Sequence, residues 1–339
     1  MKTTRHSSVR WALLVVFSHA LFACEPAPKP ALHAANSVPS AQASGGAPSS
    51  EAPSCGADRW CLVSGVQQAL TLSSIWGASP TDIWAAGEAG TLLHWNGSNW
   101  SAVASGTQSA LRAVAGTSAS NVWAAGLDGT LLHFDGSRWS SSQPNNTDWS
   151  FASGPNARPI YSLFAAPPNR LWAAGSGLHY FDGKTWSEPF HASHLPIMAL
   201  FAADASNVWA SGLQGTIQHW DGNEWARAGR EAGPNYYGMG GSAPNDVWLV
   251  GATGSISHFN GTDWAVSTSG TSNDLHAVRA FNAREAWAVG DQGTILHWQG
   301  SAWAASNSPT PRALLGIWGA SERDIWIVGE SGVILRRQI

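Results

Sequence analysis

An all-β fold, a ring of seven four-stranded sheets, is predicted by three features of the sequence. These are its composition, a repeat of about 40 residues, and two tryptophan positions that recur within the repeat. The 339 residues include 36 glycines and 21 tryptophans, whereas only 12% are charged. Abundant glycine and large aromatic side chains favour short, tightly turned strands and disfavour helical bundles.

The tryptophans recur in two registers. The first register is Trp84, Trp123, Trp172, Trp209, Trp248, Trp287 and Trp326, with spacings of 39, 49, 37, 39, 39 and 39 residues. The second register, which follows 16 residues later except in the third unit, is Trp100, Trp139, Trp186, Trp225, Trp264 and Trp303. Because two positions repeat together, coincidence is excluded, and we expect these side chains to pack between adjacent sheets.

Each unit divides into four short strands. In residues 111–142 the apolar runs are separated by the turn sequences SASN, LDG and FDGS. The last turn repeats as Asn-Gly or Asp-Gly, for example Asn96-Gly97 and Asp135-Gly136, which favours a tight hairpin. Four antiparallel strands per repeat are typical of a propeller blade, since one such sheet cannot bury both of its faces alone.

The seventh unit starts at Leu314 and lacks a fourth strand. The sequence GADRW at 56–60 resembles the fourth-strand sequence GSNW at 97–100, and Trp60 precedes the next inner strand by a typical interval. The sequence therefore predicts that an N-terminal strand joins the last blade, so that residues 55–339 form one seven-bladed β-propeller.

Residues 1–23 are predicted to be an export signal. Three basic residues and no acidic residue precede an apolar run that is too short to span a bilayer comfortably. The run ends in LFAC, which resembles a bacterial lipobox and implies that Cys24 is lipidated; the alternative is an ordinary signal peptide cut near Ala23. Glu25, in place of Asp, favours the outer membrane.

Residues 24–54 are predicted to be the lipid anchor and a flexible tether, because Pro, Ala and Ser dominate them. Beyond the signal, 15 of the 18 basic residues remain against 22 acidic residues, a formal charge of −7. This balance argues against a nucleic-acid partner. We expect a monomeric outer-membrane lipoprotein, facing the periplasm or the exterior, that contacts the membrane through its anchor only.

Cys55 and Cys61 are predicted to form a disulfide, since export permits one. The alternative of a redox or metal pair lacks CxxC spacing and nearby ligands. Histidines recur on the third strand of five units: His94, His133, His219, His258 and His297. Equivalent residues of different blades are spread around the ring and cannot converge on one ion, so we predict no metal and expect each histidine to be satisfied within its own blade or at the surface.

The units, of the form WAxGxxGTxLHxDGxxW, resemble those of bacterial propeller lipoproteins over residues 56–339. They are also similar in design to the Asp-box propellers and the photosystem II stability-factor propellers. An Asp-box places its Asp two residues before Gly, whereas here Asp135 directly precedes Gly136. The resemblance implies the fold and leaves activity open, because propellers host many unrelated functions.

Two sets of residues are candidates for ligand binding. Acidic residues fall in equivalent loops between second and third strands: Glu88, Asp128, Asp291 and Glu330. Varied residues fall at the second position of the innermost strands, near the central channel: Arg112, Tyr161, Tyr237 and His276. The alternatives are solvated turn residues for the first set and neutral drift at a tolerant channel mouth for the second.

The connection between Trp139 and Ile160 is ten residues longer than its equivalents. It should overhang the same mouth as the acids, and its aromatic residues Trp149 and Phe151 suggest contact with a sugar or a protein. The alternative is an insertion that caps its own blade.

The sequence favours a binding or scaffold module for an envelope protein or glycan over an enzyme. The alternative is a carbohydrate-active enzyme, a glycosidase or lyase, that uses the acid-lined mouth. A third possibility, by analogy with the stability-factor propellers, is a structural assembly factor. No cofactor is expected, since the sequence contains neither a phosphate-binding glycine loop nor a nucleophile elbow.

Overall fold

A computed structural model of the protein describes residues 55–63, 69–142, 158–190, 195–229 and 232–338. Within these ranges 28 strands form seven separate four-stranded antiparallel sheets, which confirms the predicted seven-bladed β-propeller. None of the helical segments in the described part of the chain has the length and apolar character needed to cross a membrane.

The strands follow one another around the ring in chain order, with the first strand of each blade innermost. The chain enters with β1 (Trp60–Leu62). Blade one is β2 (Leu72–Ser79), β3 (Asp82–Gly87), β4 (Leu92–Trp95) and β5 (Trp100–Val103); blade two is β6 (Leu111–Ser118), β7 (Asn121–Gly126), β8 (Leu131–Phe134) and β9 (Trp139–Ser141). Blade three is β10 (Ile160–Ala166), β11 (Arg170–Gly175), β12 (Leu178–Phe181) and β13 (Trp186–Phe190).

The remaining blades repeat this order. Blade four is β14 (Ile197–Asp204), β15 (Asn207–Gly212), β16 (Ile217–Trp220) and β17 (Trp225–Arg227); blade five is β18 (Tyr236–Ala243), β19 (Asp246–Gly251), β20 (Ile256–Phe259) and β21 (Trp264–Ser267). Blade six is β22 (Leu275–Asn282), β23 (Glu285–Gly290), β24 (Ile295–Trp298) and β25 (Trp303–Ser306); blade seven contributes β26 (Leu314–Ser321), β27 (Asp324–Gly329) and β28 (Ile334–Gln338).

A single 3₁₀ turn joins the second and third strands in every described blade except blade three. These turns are Glu88–Gly90, Leu127–Gly129, Leu213–Gly215, Ala252–Gly254, Asp291–Gly293 and Glu330–Gly332. Their middle residues have positive φ, between 50° and 56°. In the Asp-Gly turn of blade two, Gly136 likewise adopts a φ of +95°, as the sequence predicts. Hydrogen bonds from the Ser137 hydroxyl and from the backbone N–H groups of Arg138 and Ser137 lower the pKa of Asp135 to about 2.

The N-terminal strand closes the ring, as predicted. Strand β1 pairs antiparallel with β28, with Trp60 opposite Arg337 and Leu62 opposite Leu335. Cys55 and Cys61 form a disulfide with an S–S distance of 2.06 Å. Beside it, the Asp58 carboxylate accepts hydrogen bonds from Ser306 Oγ at 2.9 Å and from the Asn307 backbone N–H at 2.6 Å. The closing strand is thus tied to blade six as well as to blade seven.

The core lies between the blades, as the two tryptophan registers predict. A second-strand tryptophan meets the fourth-strand tryptophan of the following blade edge-on, at interplanar angles of 77° to 88°. The pairs are Trp84–Trp139, Trp172–Trp225, Trp209–Trp264, Trp248–Trp303, Trp287–Trp60 and Trp326–Trp100. Fully buried alanines on the second strands, such as Ala85 and Ala86, let the sheets approach closely enough for this contact.

Candidate functional site

The second residue of every innermost strand is a β-bulge. In each inner pair the register skips this residue, so that, for example, Leu111 pairs with Gly126 and Ala113 with Ala125. The seven skipped residues, which we name the bulge ring, are Ser73, Arg112, Tyr161, Met198, Tyr237, His276 and Leu315. A bulge leaves its extra residue outside the ladder and re-aims its side chain. The backbone therefore presents one side chain per blade at the same end of the channel.

All seven side chains of the bulge ring are half-buried. The four candidates predicted from the sequence, on blades two, three, five and six, belong to this ring. Two of them are in contact, because the rings of Tyr237 and His276 lie with centroids 5.9 Å apart and planes inclined by 26°. The mouth thus combines one guanidinium, two phenols and one imidazole with smaller apolar and hydroxyl groups.

His276 also brings one of the predicted acids to the mouth. Its Nε2 atom lies 2.6 Å from Oδ1 of Asp291, in the 3₁₀ turn of the same blade. Tyr237, His276 and Asp291 therefore form one continuous polar and aromatic cluster across the boundary between blades five and six. The structure shows that three residues singled out separately in the sequence are neighbours.

The other three acids are engaged within their own blades or beside them. The carboxylates of Glu88 and Glu330 accept hydrogen bonds from backbone N–H groups, those of Thr71 at 3.1 Å and Ala313 at 3.2 Å. Asp128 accepts a hydrogen bond from Ser109 Oγ at 3.0 Å. Asp128 also stands one residue further along its turn than the others and adopts a φ of 56°. The four acids lie in equivalent loops, but their carboxylates serve different local contacts.

The recurring histidines are satisfied within their own blades in four cases. The ring Nε2 atom contacts the residue two positions before the second-strand tryptophan: His94–Asp82 at 2.7 Å, His133–Asn121 at 2.8 Å, His258–Asp246 at 2.7 Å and His297–Glu285 at 2.8 Å. Each ring also stacks on that tryptophan, as at Trp287 and His297, whose centroids are 3.9 Å apart. The described residues contain no group of three potential ligands that could hold a metal ion.

Burial lowers the pKa of both His133 and His219 below the ordinary value of 6.5. Folding therefore favours the neutral imidazoles, and the stability this provides is complete above about pH 6.5 and is lost as the pH falls through the lowered values. We expect the free energy of unfolding to decline on acidification below about pH 6.5, and to decline less in the double variant His133→Gln, His219→Gln. Denaturant titrations across this range measure the slopes, and equal slopes in the two proteins would contradict the prediction.

The predicted export signal (1–23), the predicted anchor and tether (24–54) and the two aromatic residues of the long connection lie outside the described residues. Trp149 and Phe151 belong to the long connection of which residues 143–157 are not described, and Cys24 precedes the first described residue. Sequence reasoning also missed a position, the residue two before each second-strand tryptophan. The sequence does contain a signal for this position, because it is an acid or an amide in six blades and Arg170 in blade three.

Comparisons with known proteins bear on the fold. Neither a protein-family model nor a curated protein matches the chain significantly. A solved structure described as YCF48 bound to D1 peptide is 16% identical with a TM-score of 0.69, covering 85% of this chain and 99% of that one. YCF48 from Cyanidioschyzon merolae is 16% identical with a TM-score of 0.67, covering 83% and 99%. The WD40 propeller domain of Doa1 is 12% identical with a TM-score of 0.65, covering 81% and 94%. At these identities the likeness establishes the propeller fold alone.

Proposed function

We propose that the propeller is a non-catalytic binding module that holds a segment of a protein partner at the bulge ring, as a lipid-anchored scaffold of the cell envelope. The observation that carries the proposal is the bulge ring itself. The same backbone device aims a side chain at the channel mouth in all seven blades, yet the side chains differ. A regular frame with varied, half-buried contact residues suits a surface that recognises one specific ligand.

The composition of the ring supports a polypeptide ligand. Tyr161 and Tyr237 offer amphipathic rings of the kind that dominate binding energy at protein interfaces, and Arg112 offers a cation with several donors. Met198 and Leu315 supply apolar surface between them. The resemblance to a propeller solved with a bound peptide, YCF48 with D1 peptide, supports the same class of ligand.

The envelope location rests on two observations of different kinds. The sequence before the propeller has the pattern of an export signal that ends at Cys24, the predicted site of lipidation. The disulfide between Cys55 and Cys61 suits the oxidising compartment that such a signal serves. Trp149 and Phe151 stay predicted contributors to the same mouth.

We expect purified full-length protein to bind members of an immobilised random peptide array and to bind glycan arrays weakly or not at all. Tyr237→Ala should weaken the selected peptides about thirtyfold, because an aromatic anchor at an interface contributes about 2 kcal/mol. Surface plasmon resonance measures the affinities, and circular dichroism verifies the fold.

The matched control is Val266→Ser, at a side chain that is 85% exposed on the outermost strand of blade five. This variant should bind as the wild type does. Peptide binding that Tyr237→Ala and Arg112→Ala leave unchanged would remove the bulge ring from consideration. Binding to glycans alone would replace the protein partner by a sugar.

A further inference from the structure

Blade three departs from the paired side chains that the other blades share. At the position two before the second-strand tryptophan, the six other blades have Asp82, Asn121, Asn207, Asp246, Glu285 and Asp324. Blade three has Arg170 there, and it has Tyr180 at the position across from Trp172, where five blades have histidine. In blade seven the same cross-strand position is Arg336, which still pairs with Asp324 at 2.9 Å. Only in blade three is the acidic or amide member of the pair replaced by a cation.

This replacement leaves Arg170 without a partner. Its side chain is exposed and, among the described residues, takes part in no hydrogen bond or ion pair. The nearby carboxylate, that of Asp204 in blade four, is occupied by its own turn. It accepts hydrogen bonds from the Ser206 backbone N–H at 2.8 Å and from Asn207 Nδ2 at 2.9 and 3.0 Å. The Asp204 carboxylate stays negatively charged, but its oxygens already accept these hydrogen bonds, whereas the guanidinium of Arg170 keeps its donors for a ligand.

Arg170 stands beside an aromatic cavity at the boundary of blades three and four, which we name the blade-three slot. Its volume is about 180 Å³, and its walls include Phe164, Trp172, Tyr180 and Trp220. Trp172 lies 4.6 Å from the Tyr180 ring and 5.7 Å from the Trp220 ring, centroid to centroid, with inclined planes. A cavity of about 150 Å³ is large enough for benzene, so the slot is of the size of one aromatic side chain.

The slot faces away from the bulge ring. Asp204, which lines it, is the last residue of the first strand of blade four, residues 205–206 connect that strand to the second, and Gly222 lies between the third and fourth strands. The bulge ring lies at the opposite end of the blades. Its residues stand at the start of the first strands, whereas the connections to the second strands follow the ends of those first strands. A ligand in the slot would not compete with one at the channel mouth.

We propose that the blade-three slot binds an aromatic side chain of a second polypeptide partner whose neighbouring carboxylate pairs with Arg170. The aromatic walls favour an inclined ring over an aliphatic chain. The planar guanidinium favours a carboxylate, which it can engage with two parallel hydrogen bonds. This site does not depend on the function proposed for the bulge ring, and together the two sites would let one propeller hold two partners on opposite faces.

The test uses 3-phenylpropionate as the probe, with 3-phenylpropanamide as its uncharged match and glucuronate as a carboxylate without an aromatic ring. Saturation-transfer NMR with the full chain measures each dissociation constant. The acid should bind about tenfold more tightly than the amide, the factor expected for one charge-assisted interaction. Arg170→Gln should abolish that difference, and glucuronate should not bind.

Three further variants keep the result decisive. The double variant Arg170→Asp, Tyr180→His restores the pair found in other blades, so it should fold and lose the probe. Arg138→Gln, at an exposed arginine of blade two, should bind as the wild type does, and so should Arg112→Ala, which separates this site from the bulge ring. Equal affinity for acid and amide, an Arg170→Gln variant that binds the acid unchanged, or binding of glucuronate in place of the aromatic acid would overturn the proposal.

Discussion

Replacing Trp60 by alanine should lower the free energy of unfolding by about 3–5 kcal/mol, the usual cost of removing a buried tryptophan. The Trp60 side chain is 0% exposed and meets Trp287 edge-on at 5.4 Å. Its Nε1–H donates to Ser306 Oγ at 3.2 Å. Because β1 has only three residues, this one side chain provides most of the apolar contact of the closing strand. Urea titration followed by circular dichroism measures the loss.

The control for Trp60→Ala is Val266→Ala, which shortens an apolar side chain that is 85% exposed. This change should alter the free energy of unfolding by less than about 0.5 kcal/mol. If Trp60→Ala were as mild, the side chain of Trp60 would be dispensable to ring closure, and the closing segment would be held by its backbone pairing with β28 and by the Asp58 contacts with Ser306 and Asn307.

Gly251→Ala should cost about 3 kcal/mol, at the upper end of the usual penalty for overpacking. A Cβ atom on Gly251 would lie 1.9 Å from the carbonyl oxygen of Asn235. The φ of Gly251 is −174°, which any residue can adopt, so the penalty comes from space alone. Since the obstacle is a backbone atom, no change of rotamer can relieve it, and the end of β19 must move away from the start of β18. Thermal and urea unfolding both measure the effect.

Gly106→Ala provides the matched comparison for Gly251→Ala. Gly106 has a φ of +78°, and a Cβ atom there would meet no atom within 4 Å. The change should therefore cost only the strain of a left-handed alanine, about 1 kcal/mol. If the two variants lost the same free energy of unfolding, the start of the inner strand would be able to move aside at little cost. The glycine at the end of each second strand would then not be required by close packing.

The fold could be predicted from the sequence because the residues that repeat are mostly tryptophans, and these all pack between adjacent blades. Trp84 and Trp139, for example, belong to separate registers and lie in separate blades, yet they form one contact. The closing strand was predictable for a related reason, since a blade without a fourth strand leaves a tryptophan such as Trp287 without its edge-on partner.

The candidate sites were less accessible to sequence reasoning. The variety among Arg112, Tyr161, Tyr237 and His276 is visible in the sequence, but the bulge that aims them is a property of register between two strands. Likewise, nothing in the spacing reveals that His276 reaches Asp291. Arg170 did leave a signal, a cation where the other blades have an acid or amide.

The edge-on tryptophan contacts all run in one direction, from the second strand of one blade to the fourth strand of the next. In the six pairs named above, the two partners contribute different surfaces, as the subunits of a head-to-tail cyclic oligomer do. Linear repeat arrays need specialised terminal repeats to cover their exposed ends. Here the Trp326–Trp100 contact joins the last blade to the first, so the propeller behaves as a seven-membered rotational assembly within one polypeptide and needs no capping repeat.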